Sequence, residues 1–198
     1  MMDDSAGQPA VNRRIAERIR SLRSAQGLSL EALAARSGVS RSMLSLIERG
    51  ETSPTAVVLD RIATGLGVVL ASLFEDPAAA PNPVARAADH VAWRDPQSAY
   101  VRRNVSPPNY PSPLQLVEVV LPPGAHVTYE TGARRPTICQ QVWVQDGRVE
   151  VTVGKETYEL DADDCLAMEL NAPIAFRNPT RRKARYVVAI AGAPHAHP

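Results

Sequence analysis

Apolar residues recur at helical spacing from Asn12 to Phe74, and Pro54 is the single proline in that stretch. Ile15, Ile19 and Leu22 share one helical face, and Gly27 follows as a C-terminal stop. Ser29 predicts the cap of a second helix that buries Leu30, Leu33 and Ala34 and ends near Ser37-Gly38. Ser40 opens a third helix with Leu44 and Ile47 inward, closed by Gly50. Ser53-Pro54-Thr55 starts a fourth with Leu59, Ile62 and Leu66 inward, and Leu70–Phe74 adds a short fifth. The pattern predicts a compact five-helix, all-α domain over residues 11–76.

Residues 77–88 carry three prolines among small residues with little to bury, so 77–97 reads as a semi-extended linker. Beyond it the period shortens. Leu116–Leu121, Val142–Val144, Val149–Val153, Cys165–Met168 and Tyr186–Ile190 are short β-rich runs separated by Pro-Pro-Gly, Asp-Gly, Gly-Lys and Asn-Ala-Pro turns. Such spacing predicts an antiparallel sandwich or barrel over 98–192, entered through a loop with Pro107, Pro108, Pro111 and Pro113. No helix is expected in this half.

Composition adds bounds rather than detail. A chain of 198 residues suits one large domain or two small ones. No apolar run approaches the roughly 18 residues of a membrane span, and the opening Met1-Met2-Asp3-Asp4 does not read as a signal peptide. Cys139 and Cys165 are too few for a disulfide framework, which favours a cytoplasmic protein. The formal net charge is +1 and by itself argues against a nucleic-acid partner. Its distribution argues otherwise. Residues 11–50 hold eight arginines against three glutamates, residues 114–176 hold ten acids against four bases, and residues 177–198 hold five bases and no acid. The first basic block is where a polyanion would dock.

The sharpest local signal is Leu28-Ser-Leu-Glu-Ala-Leu-Ala-Ala-Arg-Ser-Gly-Val-Ser-Arg-Ser-Met-Leu-Ser-Leu-Ile-Glu-Arg-Gly50. Ala34, Gly38, Val39 and Ile47 fall where a helix-turn-helix needs a small contact, a turn glycine and apolar locks. With Leu44 and Ile47 inward, a wheel of the third helix turns Ser42, Ser45, Leu46 and Arg49 outward, flanked by Arg41. The pattern resembles the Xre family of phage-repressor-like DNA-binding domains over about residues 12–74. The resemblance implies base contacts from Arg41, Ser42 and Leu46 in a major groove, with Ser29, Ser40, Ser45 and Arg49 completing the DNA-binding set. Leu46 has two readings, a thymine-methyl contact or a helix–helix seam. Glu48 is expected to pair with Arg23 structurally. Leu30 stands where the family often has Gln, which removes one expected polar contact.

The runs around Leu121-Pro-Pro-Gly, Gln141–Gly154, Tyr158–Met168 and Pro173–Pro179 resemble a small-barrel cupin, or jelly roll, over about residues 98–192. Cupin enzymes hold a metal through His and Glu, but the corresponding positions here are Arg134, Pro136, Gln140 and Ile174, none of them a good ligand. No catalytic residue, metal or cofactor is therefore expected. His126, on an early strand, reads as an ordinary polar residue, and His195 and His197 as a solvated tail. Strand alternation places Cys139 opposite Gln140 and points Val142 inward, with Ile174 and Phe176 sharing a face. The expected effector-binding set is Arg134, Gln140, Val142, Ile174 and Phe176, with Arg134 selecting an anion. The whole predicts a homodimeric transcriptional regulator that binds double-stranded operator DNA, senses a small molecule and has no membrane partner. The alternatives are a metal-dependent cupin enzyme with an accessory DNA-binding module and, more weakly, a DNA-binding antitoxin.

Overall fold

The structure, a computed structural model, describes residues 8–75, 80–130 and 138–191. Its helical half contains α1 (Gln8–Ala25), α2 (Leu30–Ser37), α3 (Arg41–Glu48) and α4 (Ala56–Gly65). Leu70–Phe74, expected as a fifth α-helix, is a 3-10 turn, so the described residues hold four α-helices rather than five. The run is too short, before Glu75 returns to extended backbone, to close a series of i to i−4 bonds.

Local chemistry sets these boundaries. The hydroxyls of Ser29, Ser40 and Thr55 accept from the backbone N–H of Ala32, Met43 and Val58, capping α2, α3 and α4. Gly38 takes the left-handed turn between α2 and α3 at φ 67°, with its N–H on the Ala34 carbonyl. Ile15, Ile19, Leu33, Leu44, Ile47, Leu59 and Ile62 pack inside. Gly65 is there for proximity. A Cβ on it would stand 2.9 Å from the Ser37 Cβ and 3.1 Å from the Ser37 backbone, so α2 and α4 touch at this point.

The second half is β-rich and wholly antiparallel. Its strands are β1 (Ala92–Arg94), β2 (Val101–Asn104), β3 (Leu114–Leu121), β4 (His126–Tyr129), β5 (Cys139–Asp146), β6 (Val149–Val153), β7 (Glu156–Leu160), β8 (Cys165–Glu169), β9 (Ile174–Arg177) and β10 (Ala184–Ala191). They form a six-stranded sheet, β1-β2-β3-β10-β5-β8, and a four-stranded sheet, β4-β9-β6-β7. Among the described residues no pairing joins the two, so they face each other as layers and do not close into the expected barrel. The inward residues alternate: Val117, Val119 and Leu121 on β3, Val142 and Val144 on β5, Tyr186 and Val188 on β10. Phe176 of β9 stacks on Tyr186 of β10 across the gap, ring centroids 5.5 Å apart.

The stretch read as linker ends as structure. A 3-10 turn spans Ala87–Asp89, and β1 pairs with β2 through Trp93 opposite Arg102. Trp93 is fully buried, edge-on to Phe74 and Tyr100, and its indole N–H donates to Asn12 of α1. Asp95 follows it. One carboxylate oxygen accepts from the Ala56 N–H at the start of α4 at 2.7 Å, and the other from the N–H and hydroxyl of Ser98. Gln8 of α1 brackets the Arg94 backbone, accepting from its N–H and donating to its carbonyl. The two halves are thus joined by a buried, hydrogen-bonded seam.

Two substitutions test this packing by urea unfolding. Gly65→Ala is expected to cost about 1–3 kcal/mol, overpacking against Ser37 exceeding the gain in helix propensity. Asp95→Ala is expected to cost about 2 kcal/mol or more, since it leaves the Ala56 and Ser98 N–H groups buried without an acceptor.

Candidate functional site

α3 is presented at the surface by a buried side and a fixed base. Leu44 and Ile47 are fully buried, while Arg41, Ser42 and Met43 face outward on its first turn. Its base is the Arg23–Glu48 pair: Nε and Nη2 of Arg23 donate to the two carboxylate oxygens at 2.6 and 2.8 Å, and Nη1 donates to the Leu28 carbonyl. Burial disfavours the Arg23 charge, but the Glu48 hydrogen bond outweighs it and raises the Arg23 pKa. This is the structural pairing expected of Glu48.

The outer residues form short-range networks. Arg41 reaches back to Glu31 of α2, and both side chains are mainly exposed, so the pair is open to exchange. The Glu31 carboxyl is held below its usual range by its own backbone N–H first, then by Arg41 and Ser29. The Ser40 and Ser42 hydroxyls lie 3.1 Å apart, and Arg49 donates to Ser45 and to both oxygens of Glu51. Ser29, Ser40, Arg41, Ser42 and Arg49 are exposed, and Ser45 is half-buried. Leu46 is half-buried too. The large exposed apolar side chain is Met43, which the sequence reading passed over. Its place one step from inward Leu44, on the first turn, was the available signal.

In the β-rich half, a cavity of about 80 Å³ lies between the inner face of the six-stranded sheet, β4 and β9, and the helical half. Gln140, Ile174 and Phe176 line it as expected. Val142 is fully buried but is not part of the wall. Arg134 and Pro136 lie outside the described residues, as do His195 and His197. The polar wall comes from residues the sequence reading missed: Tyr100, Arg102, Tyr129 and Tyr186, with Asp60 of α4 on the helical side. Tyr100 and Tyr129 share a hydrogen bond of 2.9 Å between their hydroxyls. Burial raises the pKa of all three tyrosines, which keeps the hydroxyls protonated. The legible signal was the alternation Tyr100-Val101-Arg102, which sets an arginine on the inward face of a strand.

Other candidate chemistry disperses. Among the described residues no three His, Cys, Asp or Glu side chains assemble into a metal-binding group. His126 is exposed and shares a hydrogen bond with Thr128. Cys165 sits opposite Trp143, four residues along β5 from Cys139, which puts the two free thiols roughly 13 Å apart. No helix among the described residues is long and apolar enough to cross a membrane.

Comparison with known proteins fits this geometry. The helix-turn-helix family HTH_3 matches residues 19–72, the span of α2, α3 and α4 with the end of α1. Residues 19–72 are a helix-turn-helix domain. The similarity runs further than that domain. The HTH-type transcriptional regulator SutR of Escherichia coli (strain K12) is 29% identical over 160 residues, 81% of this chain and 84% of that protein. An HTH_3 family transcriptional regulator from Vibrio cholerae, known as a crystal structure, superposes with a TM-score of 0.73 at 25% identity, covering 93% of this chain and 98% of that one. The uncharacterized HTH-type transcriptional regulator y4dJ of Sinorhizobium fredii (strain NBRC 101917 / NGR234) is 47% identical over 47 residues, 24% of this chain and 61% of its own length. The helix-turn-helix domain therefore occurs here within a two-part architecture shared along nearly the full chain.

The Arg23–Glu48 pair, with 16% and 8% of the two side chains exposed, makes a direct test of how α3 is held. Arg23→Met is expected to lower stability by about 3 kcal/mol, since it strands the Glu48 carboxylate and the Leu28 carbonyl. Arg41→Met, on an exposed pair, is expected to change it by less than about 0.5 kcal/mol. Thermal and urea unfolding of the two variants compare them.

Proposed function

We propose that this chain is a sequence-specific transcriptional regulator that binds double-stranded operator DNA in the cytoplasm as a homodimer. The domain over 11–76 reads DNA, and the cupin-like unit over 98–192 pairs protomers and receives a small-molecule effector. The observation that carries the reading is α3: a capped helix, held from below by Arg23–Glu48, with Arg41, Ser42 and Met43 on its outer first turn. A major groove admits such a helix by its N-terminal residues. Arg41 donates to guanine O6 and N7, Ser42 to a base edge, and Met43 packs on a thymine methyl in place of Leu46. Ser29, Ser40 and Arg49 face phosphates, where a hydroxyl at a helix N-terminus and a guanidinium are favoured. Exchanging the Glu31 partner of Arg41 for guanine costs little, because the pair is solvated.

Binding rather than catalysis is the second part of the reading. Gln140 and Ile174, at two of the positions where cupin enzymes carry ligands, supply neither imidazole, carboxylate nor thiolate. Metal analysis of purified protein is expected to find no stoichiometric Fe, Mn, Ni or Zn. A full complement of one of them would replace this reading with the enzyme alternative.

The DNA test begins with selection of bound duplexes from a random library, followed by mobility shift on the selected site. Arg41→Ala is expected to weaken specific binding roughly tenfold or more and to relax selection at one base pair, with non-specific affinity little changed. Affinity is expected to fall steeply with salt, as phosphate contacts release counterions. Unchanged specific affinity in Arg41→Ala would remove α3 as the reading helix.

A further inference from the structure

The lining of the cavity between the two halves includes several hydrogen-bond donors. Arg102 is 5% exposed, its guanidinium lies 4.4 Å from the centre of the Phe74 ring, and its buried Nε has no hydrogen-bond partner among the described residues. A buried guanidinium N–H without an acceptor is costly, which makes this atom the natural seat of an acceptor from outside the chain. Beside it, the hydroxyls of Tyr100 and Tyr129 share one hydrogen bond, so one of their two protons remains for a further acceptor. The Tyr186 hydroxyl and the Gln140 amide add donors to the lining. Apolar residues, among them Val117, Ile174 and Val188, make up much of the rest. The other half of the molecule contributes Asp60 of α4, and Val69 and Leu70 at the start of the 3-10 turn.

We propose that this cavity binds a small organic anion, its oxyanion head held by Arg102 and the Tyr100–Tyr129 pair, and that the anion is coupled to the docking of the helix-turn-helix half through the contact of Arg102 with Phe74. The proposal rests on the regulator reading above and names the effector class and its route of action. A cavity of about 80 Å³ suits a head group with a short body of a few carbons. One contact gives the coupling its sign. The anion draws the Arg102 guanidinium from the Phe74 ring, weakening a cation–π contact that ties the 3-10 turn to the sheet. This favours a state in which the helical half is less tightly docked. Because linkage is reciprocal, operator DNA that selects one docked geometry changes anion affinity by the same factor.

The test uses the full chain and defined probes. Acetate, propionate, butyrate and methylphosphonate are titrated by calorimetry against propionamide, butyramide and butylamine. At least one anion is expected to bind roughly tenfold or more tightly than its neutral amide or the amine. Tyr129→Phe, which removes one hydroxyl and keeps the ring, is expected to weaken that anion roughly fivefold or more. Arg102→Gln is expected to abolish its binding; circular-dichroism melts establish that each variant is folded. Anions and amides binding alike, no anion binding at all, or a folded Tyr129→Phe with unchanged affinity overturns the site and leaves a cavity filled by water alone. Mobility shift on the selected duplex, with and without saturating anion, tests the coupling. A several-fold change in DNA affinity that shrinks in Phe74→Leu supports it, and an unchanged affinity overturns it. Loss of specific DNA binding in the ligand-free chain counts against the regulator reading instead, while the calorimetry still decides the anion site.

Discussion

The structure turns on a single carboxylate and the indole beside it. Asp95 accepts from the first N–H of α4 and from two donors of Ser98, so one side chain both caps a helix of the DNA-binding half and closes the turn between β1 and β2. Trp93, two residues earlier, fills the space between Phe74 and Tyr100 and donates to Asn12. A buried acceptor with three donors and a fully buried indole cannot shift by halves, because any displacement leaves a polar group unsatisfied. The two halves are therefore held in a defined relation. α4 meets both the seam, at Ala56, and the cavity, at Asp60.

The same economy appears in how α3 is held. Its inward face is two aliphatic side chains, and eight residues of helix are too few to be stable alone. Caps at Ser40 and Gly50, the packing of Leu44 and Ile47, and the Arg23–Glu48 fork supply the rest. Rigidity at the base leaves Arg41, Ser42 and Met43 free to be chosen for what they touch.

Legibility in the sequence followed the range of the interactions. The caps Ser29, Ser40 and Thr55 and the turn glycine Gly38 act within four residues, and they were readable. The Arg23–Glu48 pair was readable only through a family resemblance, because 25 residues separate the partners. Met43 is exposed and Leu46 half-buried, a difference an ideal wheel does not give because it does not know which neighbour shields which residue. The cavity was half legible. Alternation along β5 and β9 puts Gln140, Ile174 and Phe176 on inward faces, and all three line the cavity; Arg134 lies outside the described residues, and Arg102 brings a cation to the lining. Residues 92–104 straddle the boundary between linker and barrel, where composition hides their alternation.

By itself, the sequence determined the helix boundaries, the helix-turn-helix spacing, the antiparallel β-rich second half and the separation of charge into a basic reading face and an acidic body. All of these rest on periodicity, caps and turns within a few residues. Only the tertiary structure decided that two separate sheets face each other without closing, that the end of the linker is a strand, and that Asp60, Arg102 and three tyrosines border one cavity. Those facts depend on contacts between residues beyond the reach of a single helix or turn, whose energies come from shared burial. No local pattern records which buried donor will meet which wall.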